Sequence, residues 1–269
     1  MNRSAAAAIG IFDSGIGGLT VAQEIAKFLP AEDLIYLGDT ARYPYGSKSA
    51  ETVRRYSIEN AAFLVEKGIK LLIVACNSAA ATGLDAIAAS VPVPVIGVIE
   101  PGARAAVAHT RNRKVGVIGT EATIASGAYT RALRLLAPDL EIYTRACSLF
   151  VPLAEEGWTD NEVATAAVAL YLTSLRRSGI DTLVLGCTHY PLLSGAIGAF
   201  MGESVTLVDS ARTTADADER RQLHRQVTDL MSHIGAQSRI ANRGGRQVTG
   251  MHQVRRPRMA PFLAGHSSQ

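Results

Sequence analysis

The chain has 269 residues, of which 48% are hydrophobic and 19% are charged, a composition typical of a globular protein with a substantial core. Its longest apolar runs, such as residues 91–99, are too short to cross a bilayer, and no signal-peptide cleavage site follows the N-terminal segment, so we expect a cytoplasmic protein without membrane contacts. The net charge of +3 is unevenly spread, since residues 1–210 hold 17 Lys and Arg against 20 Asp and Glu, and we expect no nucleic-acid partner.

Short apolar runs alternate with helical patterns along most of the chain. Strands are predicted at residues 8–12, 33–38, 71–76, 94–99, 115–119, 140–144, 182–186 and 205–208. Helices are predicted at residues 18–28, 50–67, 80–89, 100–109, 123–136, 160–178 and 192–200. Continuous apolar strands that alternate with helices predict an α/β fold of doubly wound parallel sheets, covered by helices on both faces.

An internal repeat divides these elements into two similar halves. Residues 68–78 (GIKLLIVACNS) align without gaps on residues 179–189 (GIDTLVLGCTH), and the alignment superposes Cys76 on Cys187. A long predicted helix precedes each segment. We therefore predict two similar α/β domains, the first at residues 1–98 and the second at residues 99–209.

Polar or reactive residues follow several predicted strands. The residues concerned are Asp13, Asp39, Cys76 and Cys187. Ligands of parallel sheets bind beyond the carboxyl ends of the strands, so these positions are candidates for a site. The glycine-rich turn at residues 12–20 (FDSGIGGLT) lacks the spacing of a dinucleotide-binding loop, and with no other cofactor motif we expect no cofactor.

Two of the three cysteines have the surroundings of a reactive thiol, whereas Cys147 is interpreted as a core residue. Asn77 and Ser78 follow Cys76, and Thr188 and His189 follow Cys187. A thiol near a helix N-terminus has a lowered pKa, so we expect both to ionise readily. The spacing offers no zinc ligand pair, a cytosolic disulfide is not expected, and a thiol protease would use only one of them. Two matched thiols suit an acid and a base acting on opposite faces of one substrate.

Other polar residues admit two interpretations. Tyr45 and Gly46 lie in a turn that could also line a site. His189, two residues after the second cysteine, is close enough in sequence to tune that thiol or to relay a proton. Glu155 and Glu156 are predicted to lie in a solvated loop.

Four motifs in this order resemble those of the glutamate racemases: FDSGIGG, GDT-x-R-Y-P-Y-G, ACNSA and LGCTHYP. The resemblance runs from about residue 9 to 210. It implies two α/β domains that face each other across an active-site cleft, a homodimer, and a cofactor-independent reaction without a metal. In that reaction L-glutamate becomes D-glutamate, which supplies peptidoglycan synthesis.

The resemblance also implies roles for individual residues. Cys76 and Cys187 would be the two acid/base thiols, assisted by Asp13 and His189. Substrate-binding positions would be Asp13, Ser14, Tyr45, Gly46, Asn77, Ser78, Thr188 and His189, with Asp39 and Glu155 as auxiliary polar residues. Two alternatives stay open, a racemase of another amino acid (of aspartate or hydantoin type) and an inactive binding protein.

The C-terminal part departs from the family pattern. Residues 211–269 contain 10 Arg and 4 acidic residues. Apolar residues from Leu223 to Ile234 keep helical spacing, so one amphipathic helix is predicted there, and the resemblance implies that residues 210–234 complete the first domain. Residues 235–269 are predicted to be a basic, disordered tail.

Overall fold

Eight parallel strands form two four-stranded sheets within residues 7–209, the part of the chain that the computed structural model describes. The first sheet contains β1 (Ile9–Asp13), β2 (Leu34–Gly38), β3 (Leu71–Val74) and β4 (Val95–Gly97), in the order β2-β1-β3-β4. The second contains β5 (Lys114–Gly119), β6 (Glu141–Ala146), β7 (Thr182–Gly186) and β8 (Thr206–Asp209), in the order β6-β5-β7-β8. The strand orders match, and the predicted α/β fold class is confirmed.

Helices connect successive strands. They are α1 (Leu19–Phe28), α2 (Ala50–Glu66), α3 (Asn77–Ser90), α4 (Ile99–His109), α5 (Glu121–Ala125), α6 (Ala128–Leu136), α7 (Phe150–Glu155), α8 (Glu162–Arg177), a 3-10 helix (Tyr190–Leu193) and α9 (Ser194–Met201). Within the described residues, no helix combines the length and the apolar character needed to span a membrane.

Local sequence explains where several helices begin and end. The Ser49 side chain caps α2 by accepting a hydrogen bond from the Thr52 N–H, and Asn161 caps α8 by accepting one from the Ala164 N–H. The single helix predicted at residues 123–136 is wrong. Gly127 has a φ of 65° there and separates α5 from α6, because a left-handed backbone conformation interrupts the helical hydrogen bonds.

An apolar layer joins the two halves of the structure. Leu72 and Val74 of β3 belong to the same buried cluster as Val115 and Val117 of β5. Helix α4 packs against α6, β7 and β8, and so belongs with the second sheet. The proposed domain boundary at residue 98 falls between β4 and α4 and stays a prediction, and the predictions for residues 210–234 and 235–269 lie outside the described residues.

Candidate active site

One cavity lies beyond the carboxyl ends of both sheets, between the two halves. Its volume is about 110 Å³, and segments that follow β1, β2 and β3 line it opposite segments that follow β5, β6 and β7. Predicted site residues in this lining are Ser14, Tyr45, Gly46, Cys76, Asn77, Ser78, Cys187, Thr188 and His189. The remaining predicted residues, Asp13, Asp39 and Glu155, lie behind the lining and contact residues within it.

Cys76 occupies the junction between β3 and the N-terminus of α3. It is buried, and its backbone carbonyl accepts the hydrogen bond from Ala80 that begins the helix. Its Sγ atom lies 3.6 Å from the Ser14 hydroxyl, which follows the neighbouring strand β1. The first backbone N–H groups of a helix have no partner within the helix, so this end of α3 favours an anionic group in the cavity.

Cys187 follows β7, the strand equivalent to β3, and lies beside the ring of His189. The Cys187 Sγ atom is 3.9 Å from His189 Nδ1, and His189 Nε2 contacts a carboxylate oxygen of Glu155. The loop predicted for Glu155 is wrong, because this residue ends α7, while its side chain is 32% exposed. Phe150 and Leu153 anchor that short helix in the core, which brings the Glu155 carboxylate against the imidazole.

Asp13 is fully buried at the end of β1 and connects the two halves. Its carboxylate accepts hydrogen bonds of 3.1 Å from the N–H groups of Gly15 and Gly18 and one of 3.4 Å from the Thr188 hydroxyl. Burial raises the pKa of Asp13, although the Gly15 N–H and His189 act in the opposite direction. The halves meet closely here, since a Cβ atom on Gly17 would lie 2.6 Å from the Thr188 hydroxyl oxygen.

Asp39 forms hydrogen bonds with the loop that follows β2, and it does not line the cavity. Its Oδ2 atom accepts hydrogen bonds from the Tyr45 hydroxyl, from Arg42 Nε at 2.7 Å and from Asn60 Nδ2 at 3.2 Å. Tyr45 is fully buried, and Gly46 beside it lines the cavity. The Asp39 cluster therefore holds the loop of residues 43–47 in place against the site.

Several residues that line the cavity were not among the predicted site residues. These are Tyr43, Pro44, Ser47, Thr120, Glu121, Ser148, Val151 and Pro152. The Thr120 hydroxyl lies 2.9 Å from the Ser78 hydroxyl, and so joins the two halves across the cavity. The sequence does contain a signal for it. Residues 9–14 (IGIFDS) align with residues 115–120 (VGVIGT), which places Thr120 opposite Ser14 in the repeat.

The structure contradicts the expected lowering of the pKa values of the two thiols. Burial raises the pKa of the Cys76 thiol to about 12, and the Asp13 carboxylate adds to this. Burial also raises the pKa of Cys187. The backbone N–H of His189 lowers this pKa, whereas the negative charges of Cys76 and Asp13 raise it further. Proximity to a helix N-terminus favours the thiolate, but the loss of hydration opposes it more strongly here.

The groups around the cavity are suited to proton transfer and to anion binding. They comprise two thiols, several hydroxyls, the Asn77 amide and the imidazole of His189. Among residues 7–209, no group of three or more His, Cys, Asp or Glu side chains is arranged to hold a metal ion. Hydroxyls and amides can bind carboxylates by hydrogen bonds, while a thiol can give a proton and a thiolate can accept one.

Comparisons with known proteins agree with this chemistry. The family model described as Asp/Glu/Hydantoin racemase matches residues 9–217. A curated glutamate racemase of Geobacter metallireducens is 64% identical over 208 residues, which cover 77% of each chain. The crystal structure of glutamate racemase isoform RacE1 from Bacillus anthracis is 44% identical, with a TM-score of 0.77, and the match covers 82% of this chain and 83% of that one.

A third relative was solved with a ligand. The glutamate racemase of Francisella tularensis, in complex with D-glutamate, is 36% identical with a TM-score of 0.76, and the match covers 83% of this chain and 82% of that one. These relatives confirm the resemblance to glutamate racemases that the four sequence motifs indicated. The chain belongs to the Asp/Glu/Hydantoin racemase family of isomerases.

Proposed function

We propose that this protein interconverts L-glutamate and D-glutamate with two cysteine side chains as acid and base, and without a cofactor. One observation carries the proposal. Cys76 and Cys187 follow equivalent strands of two sheets with the same strand order, and both line one cavity. A substrate held between them would present opposite faces of its α-carbon to the two sulfur atoms.

The polarity of the cavity fits this substrate. Donors for two carboxylates come from the Ser14, Ser78, Thr120 and Thr188 hydroxyls and from the start of α3. The glutamate racemases related to this chain support glutamate over aspartate as the substrate.

The proposed reaction moves one proton off the α-carbon and one onto it. The thiolate of one cysteine removes the α-proton, and the thiol of the other donates a proton to the opposite face, so the two sulfur atoms exchange protonation states. Because the α-proton is weakly acidic, the close approach of the thiolate and hydrogen bonds to the developing charge supply most of the rate. A substrate ammonium group beside the thiols would favour the thiolate that burial disfavours.

Asp13 and His189 are proposed to assist the thiols from the two sides of the cavity. His189 lies against Cys187 and is held by Glu155. Asp13 interacts with Cys76 through its charge. A cytoplasmic enzyme of this kind, acting as a homodimer, would supply D-glutamate for peptidoglycan, as the resemblance to the family implies.

The test is an assay of the purified full chain in deuterated water, without added cofactor, with L-glutamate and L-aspartate as separate substrates. We expect D-glutamate to form with deuterium at its α-carbon and aspartate to remain unchanged. Turnover of aspartate alone would indicate a racemase of another amino acid. Binding of glutamate without turnover would indicate a binding protein, and inversion without deuterium uptake would contradict the two-thiol mechanism.

A further inference from the structure

Tyr129 occupies a slot between the two halves, outside the lining of the cavity. It lies on α6 and is 3% exposed. A Cβ atom on Gly102 would lie 3.2 Å from the Tyr129 hydroxyl oxygen, and one on Gly186 would lie 3.0 Å from its ring. Both neighbours lack a side chain where the tyrosine passes, so its ring is closely confined on two sides.

The hydroxyl of Tyr129 reaches the residue that follows Cys76. It donates a hydrogen bond of 2.7 Å to the Asn77 side-chain oxygen, and both groups are buried. Burial raises the pKa of Tyr129, and the charges of Cys187 and Asp209 add to this, so the hydroxyl keeps the proton that it donates. With its oxygen bound to Tyr129, the Asn77 amide directs its NH₂ group away from the tyrosine.

Tyr129 thus contacts both cysteine motifs, at different positions relative to the cysteine. Gly186, under its ring, directly precedes Cys187, whereas Asn77, at its hydroxyl, directly follows Cys76. The position of the tyrosine is fixed by packing from the second half, while its hydrogen bond is made to the first. A displacement of either motif would therefore alter the contact of Tyr129 with the other.

We propose that Tyr129 is a positioning residue for racemisation, which orients the Asn77 amide toward the substrate. This inference rests on the proposed function, and on Asn77 as a lining residue that the family resemblance places at the substrate. Loss of one buried neutral hydrogen bond typically weakens the affinity for a ligand by about three- to tenfold.

The test is a double-mutant cycle on the full chain, with steady-state kinetics for glutamate. Tyr129→Phe keeps the ring and removes the hydroxyl, and we expect kcat/KM to fall by about three- to tenfold, chiefly through a rise in KM. In the Asn77→Ala background the same substitution should change kcat/KM by less than about twofold, because the two residues act as one unit. Equal losses in both backgrounds, or a loss in kcat with KM unchanged, would overturn the proposal.

Two further variants separate positioning from general stability. Gly102→Ala keeps the tyrosine hydroxyl but crowds it, and alanine is a better helix former than glycine, so activity should fall while folding is retained. Ser57→Ala removes a buried hydroxyl bonded to the Val53 carbonyl on α2 and should leave kcat/KM unchanged. Full activity of Gly102→Ala would contradict the proposal.

A spectroscopic measurement makes the outcome independent of turnover. In nuclear magnetic resonance spectra, the Asn77 side-chain NH₂ signals should shift in Tyr129→Phe and stay in place in Ser57→Ala. Unshifted Asn77 signals in Tyr129→Phe would contradict the positioning role. Absence of glutamate turnover in the unmodified protein would instead contradict the proposed function, while the NH₂ signals would still report on Tyr129.

Discussion

The Sγ atom of Cys187 lies 3.9 Å from Nδ1 of His189, whose other ring nitrogen contacts Glu155. This chain of three groups connects the cavity to the C-terminal end of α7. The contact of Glu155 with Nε2 leaves Nδ1 directed toward the thiol, because a hydrogen bond at one ring nitrogen orients the other. The contact is made within the second half alone.

The role of Glu155 can be measured with a pair of substitutions. In Glu155→Gln the charge-assisted contact with His189 is lost, and we expect kcat for glutamate to fall about tenfold. A hydrogen bond to a charged group contributes about 1.5–3 kcal/mol, and the partial exposure of Glu155 places this contact at the lower end of that range. Glu156→Gln is the matched control, because Glu156 is exposed and follows in sequence. Similar activities of the two variants would show that Glu155 is a surface residue without influence on the thiol.

Substitution of the cysteines tests the two-thiol mechanism. Cys76→Ser and Cys187→Ser should each lower racemisation by at least about a thousandfold, since a hydroxyl is a far weaker acid than a thiol. Cys147→Ser is the control, because Cys147 is buried outside the cavity lining and should affect stability more than turnover. An inactive Cys147→Ser protein beside an active Cys187→Ser protein would contradict the assignment.

Stability at alkaline pH should report the burial of Cys76. Its pKa rises from 9.0 to about 12 in the folded protein, so the unfolded chain releases this proton first and stability falls as pH rises above 9. From about pH 8 to about pH 10, the wild-type protein should lose about 1.4 kcal/mol more free energy of unfolding than Cys76→Ser. Urea unfolding of both proteins at the two pH values gives this difference, and equal losses would show that the thiol ionises as easily in the folded protein.

Much of the fold was predictable because its signals are local. Continuous apolar strands separated by helical patterns identified both sheets, and the repeat around Cys76 and Cys187 identified their equivalence. The break at Gly127 was missed because glycine inside a helical pattern interrupts it only when the surrounding structure selects a positive φ. The bend of the chain there places α6, and with it Tyr129, between the halves.

Long-range contacts account for what the sequence did not indicate at the site. Helix α7 has six residues, too few for a periodic pattern, and its position depends on the core contacts of Phe150. The pKa of the Cys76 thiol is raised by burial, and the extent of burial depends on the tertiary structure around this residue. Hydroxyl residues such as Thr120 are common in loops, so only the repeat distinguishes this one.

Truncation tests whether the C-terminal part of the chain contributes to stability and activity. Removal of the residues after Ile234 should leave secondary structure and racemase activity nearly unchanged, because they hold few regularly spaced apolar residues. Removal of the residues after Ser210 should lower the melting temperature, since each apolar side chain from Leu223 to Ile234 contributes up to about 1.5–3 kcal/mol if buried. Thermal unfolding of the two shortened chains and the full chain makes the comparison.

Either of two results would contradict this prediction. A melting temperature for the chain ending at Ser210 equal to that of the full chain would show that the apolar stripe does not pack. A large loss on cutting after Ile234 would show that the basic end is part of the folded structure.

The two halves share a strand order but surround their thiols differently, with Ser14 beside Cys76 and His189 beside Cys187. For the proposed reaction, substrate and product are mirror images with equal free energies in water. The Haldane relationship then makes kcat/KM the same for both enantiomers, whatever groups surround each sulfur. The unlike surroundings can appear only as matched changes of kcat and KM, so that the enantiomer with the higher KM is turned over faster. Each half could therefore diverge in sequence without ever shifting the final mixture away from equal amounts of the two enantiomers.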